Sequence, residues 1–107
     1  MQQLAVHIKS RPTGAVFDPA TLDAFTGDQI FWINDDTGTY QPAAVNPDGT
    51  NTPLVDPIGP DDTSNVFSPS PLFDSTGNPT FYTINYICAK HPDSPTLKAK
   101  IVVSPNP

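Results

Sequence analysis

Proline limits this chain more than any other residue. Fourteen of its 107 residues are proline and six are glycine. Each proline fixes φ and removes a backbone donor. Prolines this frequent leave no room for a long helix, and within a sheet they are confined to edges, strand ends and loops. The apolar residues between them fall in short alternating runs. Leu4, Val6 and Ile8 alternate with Ala5, His7 and Lys9, the period of a half-buried strand. "ATLDAFTGDQIFWIND" predicts a short strand, a turn at Gly27 and Asp28, and a second strand. That second strand puts Ile30 and Trp32 on one face and Phe31 and Ile33 on the other, so it is either covered on both sides or presents an apolar patch.

Further on, "TFYTINYIC" sets Tyr82, Ile84, Tyr86 and Cys88 on one parity, and "LKAKIVVS" does the same for Leu97, Ala99, Ile101 and Val103. About seven strands in a single domain, residues 1–107, predict an all-β, Greek-key two-sheet β-sandwich. From Gly38 onward the period is lost. Residues 41–79 hold more than half of the prolines and read as one long loop segment, a functional loop or lid over one end of the scaffold. Its Asp61-Asp62 pair reads as a solvated turn, as do Asp35 and Asp36.

Charge removes several function classes. Eleven Asp and Glu stand against five Lys and Arg, a net charge of −6. The cations divide between the two ends of the sequence, so no basic patch forms and nucleic acid is not a partner. No apolar run is long enough for a membrane-spanning helix. The sequence reaches a strand pattern almost at once, with no signal peptide. A chain rich in Thr, Asp, Asn and Pro and poor in Lys nevertheless reads as extracytoplasmic, periplasmic or secreted. On this reading it is a domain of a larger exported protein, with Met1 added as a start residue.

The chemistry-bearing stretch is "YICAKHPDSPTLKAKIVV", Tyr86 to Val103, which holds the only cysteine and, three residues later, His91. A Cys-x-x-His pair at a strand end serves three chemistries. As a nucleophile and base it needs an orienting group and an oxyanion hole, and the sequence offers neither, so no enzyme is expected. Structural zinc takes four ligands, and no second cysteine exists. A blue-type copper site takes one thiolate and two imidazoles, often with a weak axial ligand. The plain alternative is a buried cysteine acting as a small hydrophobe beside a surface histidine.

Two stretches together favour copper. "FDPATLDAFTGDQIFWINDD", with Gly27-Asp28-x-x-x-Trp32-x-Asn34, and the Tyr86-x-Cys88-x-x-His91-Pro92 stretch resemble the cupredoxins, the plastocyanin and azurin family. This resemblance covers most of the chain except the proline-rich middle. It implies a β-sandwich holding copper at one end, with Cys88 as the thiolate ligand, His91 as an imidazole ligand, Tyr86 as core beneath them, and a redox partner protein.

The resemblance breaks at two points. The relatives take a first histidine from the loop after the Trp-Asn strand. Here that loop reads "NDDTGTYQPAAV", and the slot falls on Tyr40, or on Gln41 one residue along. His7 faces outward from the first strand and does not substitute. The axial methionine slot falls on Leu97 or Thr96. Leu97 cannot ligate, and the only methionine is Met1. Tyr40 as a phenolate would favour Cu(II). With Tyr40 neutral, Cys88 and His91 remain, a pair suited to soft Cu(I). Two functions follow, a copper-binding domain with a nonstandard type-1-like site for electron transfer, or a metal-free structural or interaction module. In the module, Phe31, Ile33 and the 41–79 segment would be contact surfaces.

Overall fold

A computed structural model describes residues 2–105, so Met1 lies outside the described residues. Among these it has no helix, and its strands are β1 (Gln3–Arg11), β2 (Gly14–Asp18), β3 (Thr21–Phe25), β4 (Gln29–Asn34), β5 (Pro42–Val45), β6 (Asn51–Pro53), β7 (Leu72–Phe73), β8 (Pro79–Thr80), β9 (Tyr82–Cys88) and β10 (Lys98–Ser104). One sheet has the order β2-β1-β4, with β1 parallel to β4 and antiparallel to β2. The other has the order β3-β10-β9-β5-β6, parallel only where β3 meets β10. The expected all-β two-sheet sandwich is present.

The alternating runs point inward as their periods require. Val6 and Ile8 of β1, Ile30 and Trp32 of β4, Tyr86 and Cys88 of β9, and Ile101 and Val103 of β10 are all buried in one cluster. Three aromatic rings tie the sheets together. Phe17 lies 4.9 Å from Tyr86, and Trp32 meets Tyr86 edge-on at 5.6 Å. Trp32 Nε1–H donates to the Tyr86 hydroxyl at 3.3 Å, and burial raises the phenol pKa of Tyr86. Tyr86→Phe leaves that indole donor without its acceptor, so urea unfolding of the variant should show a loss of about 1–2 kcal/mol.

Two features differ from expectation. β3 and β4 flank the Gly27-Asp28 turn as predicted, but they lie in different sheets, so the turn is an arch and not a hairpin. Gly27 has φ +87° there. The buried Asp28 carboxylate fixes the arch by accepting from Phe25 N at 2.9 Å and Gln2 N at 3.0 Å.

The 41–79 segment is not a lid over one end. It supplies β5 and β6 to one sheet and β7 and β8 as a small separate hairpin, and its middle runs antiparallel beside β4. Ile30 and Phe67 exchange backbone hydrogen bonds of 2.8 Å, Ser64 N donates to Trp32 O at 2.8 Å, and Asn34 N donates to Asp62 O at 2.9 Å. The stretch that pairs holds no proline and is bounded by Pro60 and Pro69, so the pairing is confined to the short run between them, which still covers the edge of β4. Phe31 and Ile33, on the outer face of β4, are half-buried.

Candidate metal centre

The site forms at one end of the sandwich, where β9 ends and the chain turns toward β10. Cys88 is the last residue of β9 and is fully buried. Its carbonyl accepts from His91 N at 3.1 Å, and the carbonyl of His91 accepts from Ser94 N at 3.1 Å. These two successive turns return the chain toward β10 and leave the His91 side chain exposed. Across from them, the loop after β4 ends where Pro42 of β5 pairs with Cys88. This pairing brings Tyr40 and Gln41 to the cysteine. Gln41 N–H donates to Cys88 Sγ at 3.4 Å, and Ala89 N donates to Gln41 O at 2.8 Å. A backbone donor to a ligating sulfur is an outer contact of the kind that orients a metal ligand.

Tyr40 is held from both sides. Its backbone exchanges hydrogen bonds with Ile58, at 3.1 Å and 2.7 Å. Its ring is buried and lies 5.3 Å from the His91 ring, tilted by 47°. A shallow cavity of 160 Å³ opens here, lined by Ala15, Tyr40, His91, Ser94 and Leu97. The structure thus brings Cys88, His91 and Tyr40 to one end of the fold, with Leu97 as a buried apolar wall.

The Tyr40 oxygen is already engaged. Its hydroxyl donates to Asp36 Oδ2 at 2.5 Å. Burial first, then the Asp36 hydrogen bond and charge, then the Cys88 sulfur nearby, push the phenol pKa up to about 12. At neutral pH Tyr40 is therefore a phenol. The same bond holds the Asp36 carboxyl below its usual range, helped by Thr37 N–H. Asp36 read as a solvated turn in the sequence, and no local pattern marks it as the partner of Tyr40.

The loop that carries this pair is organised by Asn34, fully buried at the end of β4. Its amide Nδ2 donates to the carbonyls of Gly38 at 2.8 Å, Gly59 at 3.0 Å and Ile58 at 3.1 Å, and its Oδ1 accepts from Asp36 N at 2.9 Å. A β-carbon on Gly38 would lie 3.2 Å from Tyr40 Oη, so glycine leaves the space into which the ring folds.

The remaining candidates are occupied elsewhere. The Gln41 side chain donates to Val55 O at 3.2 Å. The Thr96 hydroxyl donates to Ala15 O at 2.6 Å. His7 pairs with Asp35 at 2.7 Å on the outer side of β1, both side chains well exposed. Asp61 and Asp62 form an exposed turn, with Asp61 at φ 60°. Among the described residues no three His, Cys, Asp or Glu side chains converge.

No protein-family model matches the chain, and no curated protein sequence does. Solved structures do. A reduced Cu(I) form of an amicyanin variant at pH 4 matches with a TM-score of 0.66 at 17% identity, covering 95% of this chain and 82% of that one. Amicyanin from Paracoccus versutus matches with a TM-score of 0.66 at 13% identity, covering 95% and 81%. An oxidized amicyanin variant gives 0.64 at 19% identity, covering 94% and 81%. The chain has a cupredoxin-like fold.

Proposed function

We propose that this is a copper-binding redox domain of cupredoxin type, in which Cys88 and His91 hold the metal and Tyr40 occupies the slot of a third ligand. The observation that carries this reading is the buried Cys88 sulfur at the strand end, which receives the Gln41 amide and has His91 on the next turn. The solved neighbours include an amicyanin variant in a Cu(I) form, and a thiolate with an imidazole is a donor pair that suits that ion.

The donors fit Cu(I) better than Cu(II). A thiolate and an imidazole satisfy a soft ion that accepts few ligands, while the Tyr40 oxygen stays protonated on Asp36. Copper would supply one-electron redox chemistry at this end of the sandwich. Gln41 N–H would stabilise the thiolate charge, the Leu97 side chain would keep water from the site, and the exposed His91 would offer the approach for a redox partner protein. An extracytoplasmic setting within a larger exported protein belongs to the same reading.

Competition titration with a Cu(I) chelator tests it. The wild type should bind one Cu(I) per chain. Cys88→Ser should lose that binding, and His91→Ala should weaken it by roughly tenfold or more, as loss of a metal ligand requires. Wild-type protein that competes no better than Cys88→Ser would end the copper reading.

The second reading is a metal-free structural or interaction module. Two observations favour it, the Tyr40 hydroxyl satisfied by Asp36 and the absence of a third His, Cys, Asp or Glu at the site among the described residues. Its surface would then centre on exposed Phe73 and Phe81 at 56% and 70% exposure, more than on the half-buried Phe31 and Ile33. On this reading, adding copper leaves the melting temperature unchanged.

A further inference from the structure

We propose that Asp36 is the positioning residue that sets which oxidation state of copper the site accepts, by keeping the Tyr40 oxygen from serving as a third ligand. This inference rests on the copper reading of Cys88 and His91 and goes beyond it by naming a control residue outside the ligand set.

Four features make the Asp36 contact a built one. The bond itself is short, 2.5 Å from Tyr40 Oη to Asp36 Oδ2, as expected for a hydroxyl donating to a carboxylate. The carboxylate is aimed by its own turn, because Thr37 N donates to its other oxygen at 2.8 Å. Asp36 N is in turn bound by the buried Asn34 at 2.9 Å. The ring reaches Asp36 by lying against Gly38, where a β-carbon would sit 3.2–3.3 Å from it and press it to shift.

To ligate copper, the Tyr40 oxygen must break this bond and turn from Asp36 toward the metal. Cu(II), a harder ion, gains from such an oxygen, and Cu(I) does not. The Asp36 bond therefore weakens Cu(II) binding selectively and leaves Cu(I) on Cys88 and His91 untouched. A hydrogen bond to a charged group of this kind corresponds to roughly ten- to a hundredfold in affinity.

The test uses the full chain as wild type, Asp36→Ala, Asp36→Asn and the double variant Asp36→Ala/Tyr40→Phe. Each is titrated with Cu(I) against a chelator and with Cu(II) by visible absorption. Asp36→Ala should bind Cu(II) roughly ten- to a hundredfold more tightly and gain a phenolate-to-copper band, with Cu(I) affinity unchanged. Asp36→Asn, which keeps an acceptor oxygen on the turn and so guards against misfolding, should move the same way by less. The double variant should lose both the band and the gain.

A gain that persists in the double variant would overturn the proposal, because the effect would not pass through Tyr40. So would unchanged Cu(II) binding in both single variants while Cu(I) still binds. Absence of Cu(I) binding in every protein, wild type included, would overturn the copper reading itself and this proposal with it.

Discussion

Replacing Tyr40 with histidine should turn a weakly absorbing protein into an intensely coloured one on addition of Cu(II). The substitution places a second imidazole in the slot facing His91, whose ring lies 5.3 Å from the Tyr40 ring. One thiolate and two imidazoles then surround the metal, the donor set of a blue copper site even without a strong axial ligand. The imidazole is smaller than the phenol, so the space over Gly38 accommodates it. It has no phenol proton to lose to the solvent. Cu(II) affinity should rise by at least about tenfold, ~1.4 kcal/mol, in a competition titration read by the visible band. A Tyr40→His protein that stays colourless would mean that Cys88 is not available to metal at this end of the fold.

Asn34→Leu should give the largest loss of stability of any single change in the site region. The two side chains share branching and heavy-atom count, but leucine's methyl groups are bulkier, so a packing cost at this fully buried position adds to the loss of polar partners. Asn34 is fully buried and supplies three donations, to Gly38, Ile58 and Gly59, and one acceptance, from Asp36 N. Leucine removes all four bonds; the Ile58 carbonyl keeps Tyr40 N as a donor, while the Gly38 and Gly59 carbonyls and Asp36 N lose the partner they have in Asn34. Solvent reaches some of them, so the expected loss is roughly 3 kcal/mol and not the full sum of three desolvated groups. For a chain of this size that lowers the melting temperature by on the order of 15 °C. Calorimetry or thermal circular dichroism checks it. A shift of only a degree or two would mean that the loop after β4 is held by the Tyr40–Ile58 bridge alone. The same variant should loosen the Asp36–Tyr40 pair and so share part of the Cu(II) response expected of Asp36→Ala.

The parts of this protein that were legible in the sequence are those whose signal is local. Leu4-Val6-Ile8 and Tyr82 through Cys88 declare strands by period alone, because one face of each is buried. Cys88 and His91 sit three apart on one turn, so their meeting needed no knowledge of distant pairing. The placement of β3 and β4 in different sheets was not legible, because a Gly-Asp turn serves an arch as well as a hairpin. The proline-rich middle looked like a lid for a related reason. Its pairing with β4 is confined to the run from Asp62 to Phe67, where Thr63, Ser64 and Asn65 are polar and no apolar alternation announces a strand.

At the site, the Tyr40 slot was visible and its partner was not. Asp36 lies four residues before Tyr40 in a loop, where no helical spacing forces two side chains together. Their contact is made over Gly38, where the Tyr40 ring packs closely, and in a turn that Asn34 anchors from the core. These are tertiary facts. Asn34 itself was noted only as part of a Trp-Asn motif, and its four hydrogen bonds depend on the carbonyls of Ile58 and Gly59, more than 20 residues away.

Copper K-edge X-ray absorption of the wild-type chain loaded with one equivalent of Cu(I) tests the copper site most directly. The expected shell is one sulfur and one imidazole nitrogen, with the sulfur lost in Cys88→Ser and the imidazole lost in His91→Ala. A shell of oxygen and nitrogen only, or a spectrum that Cys88→Ser leaves unchanged, would contradict it.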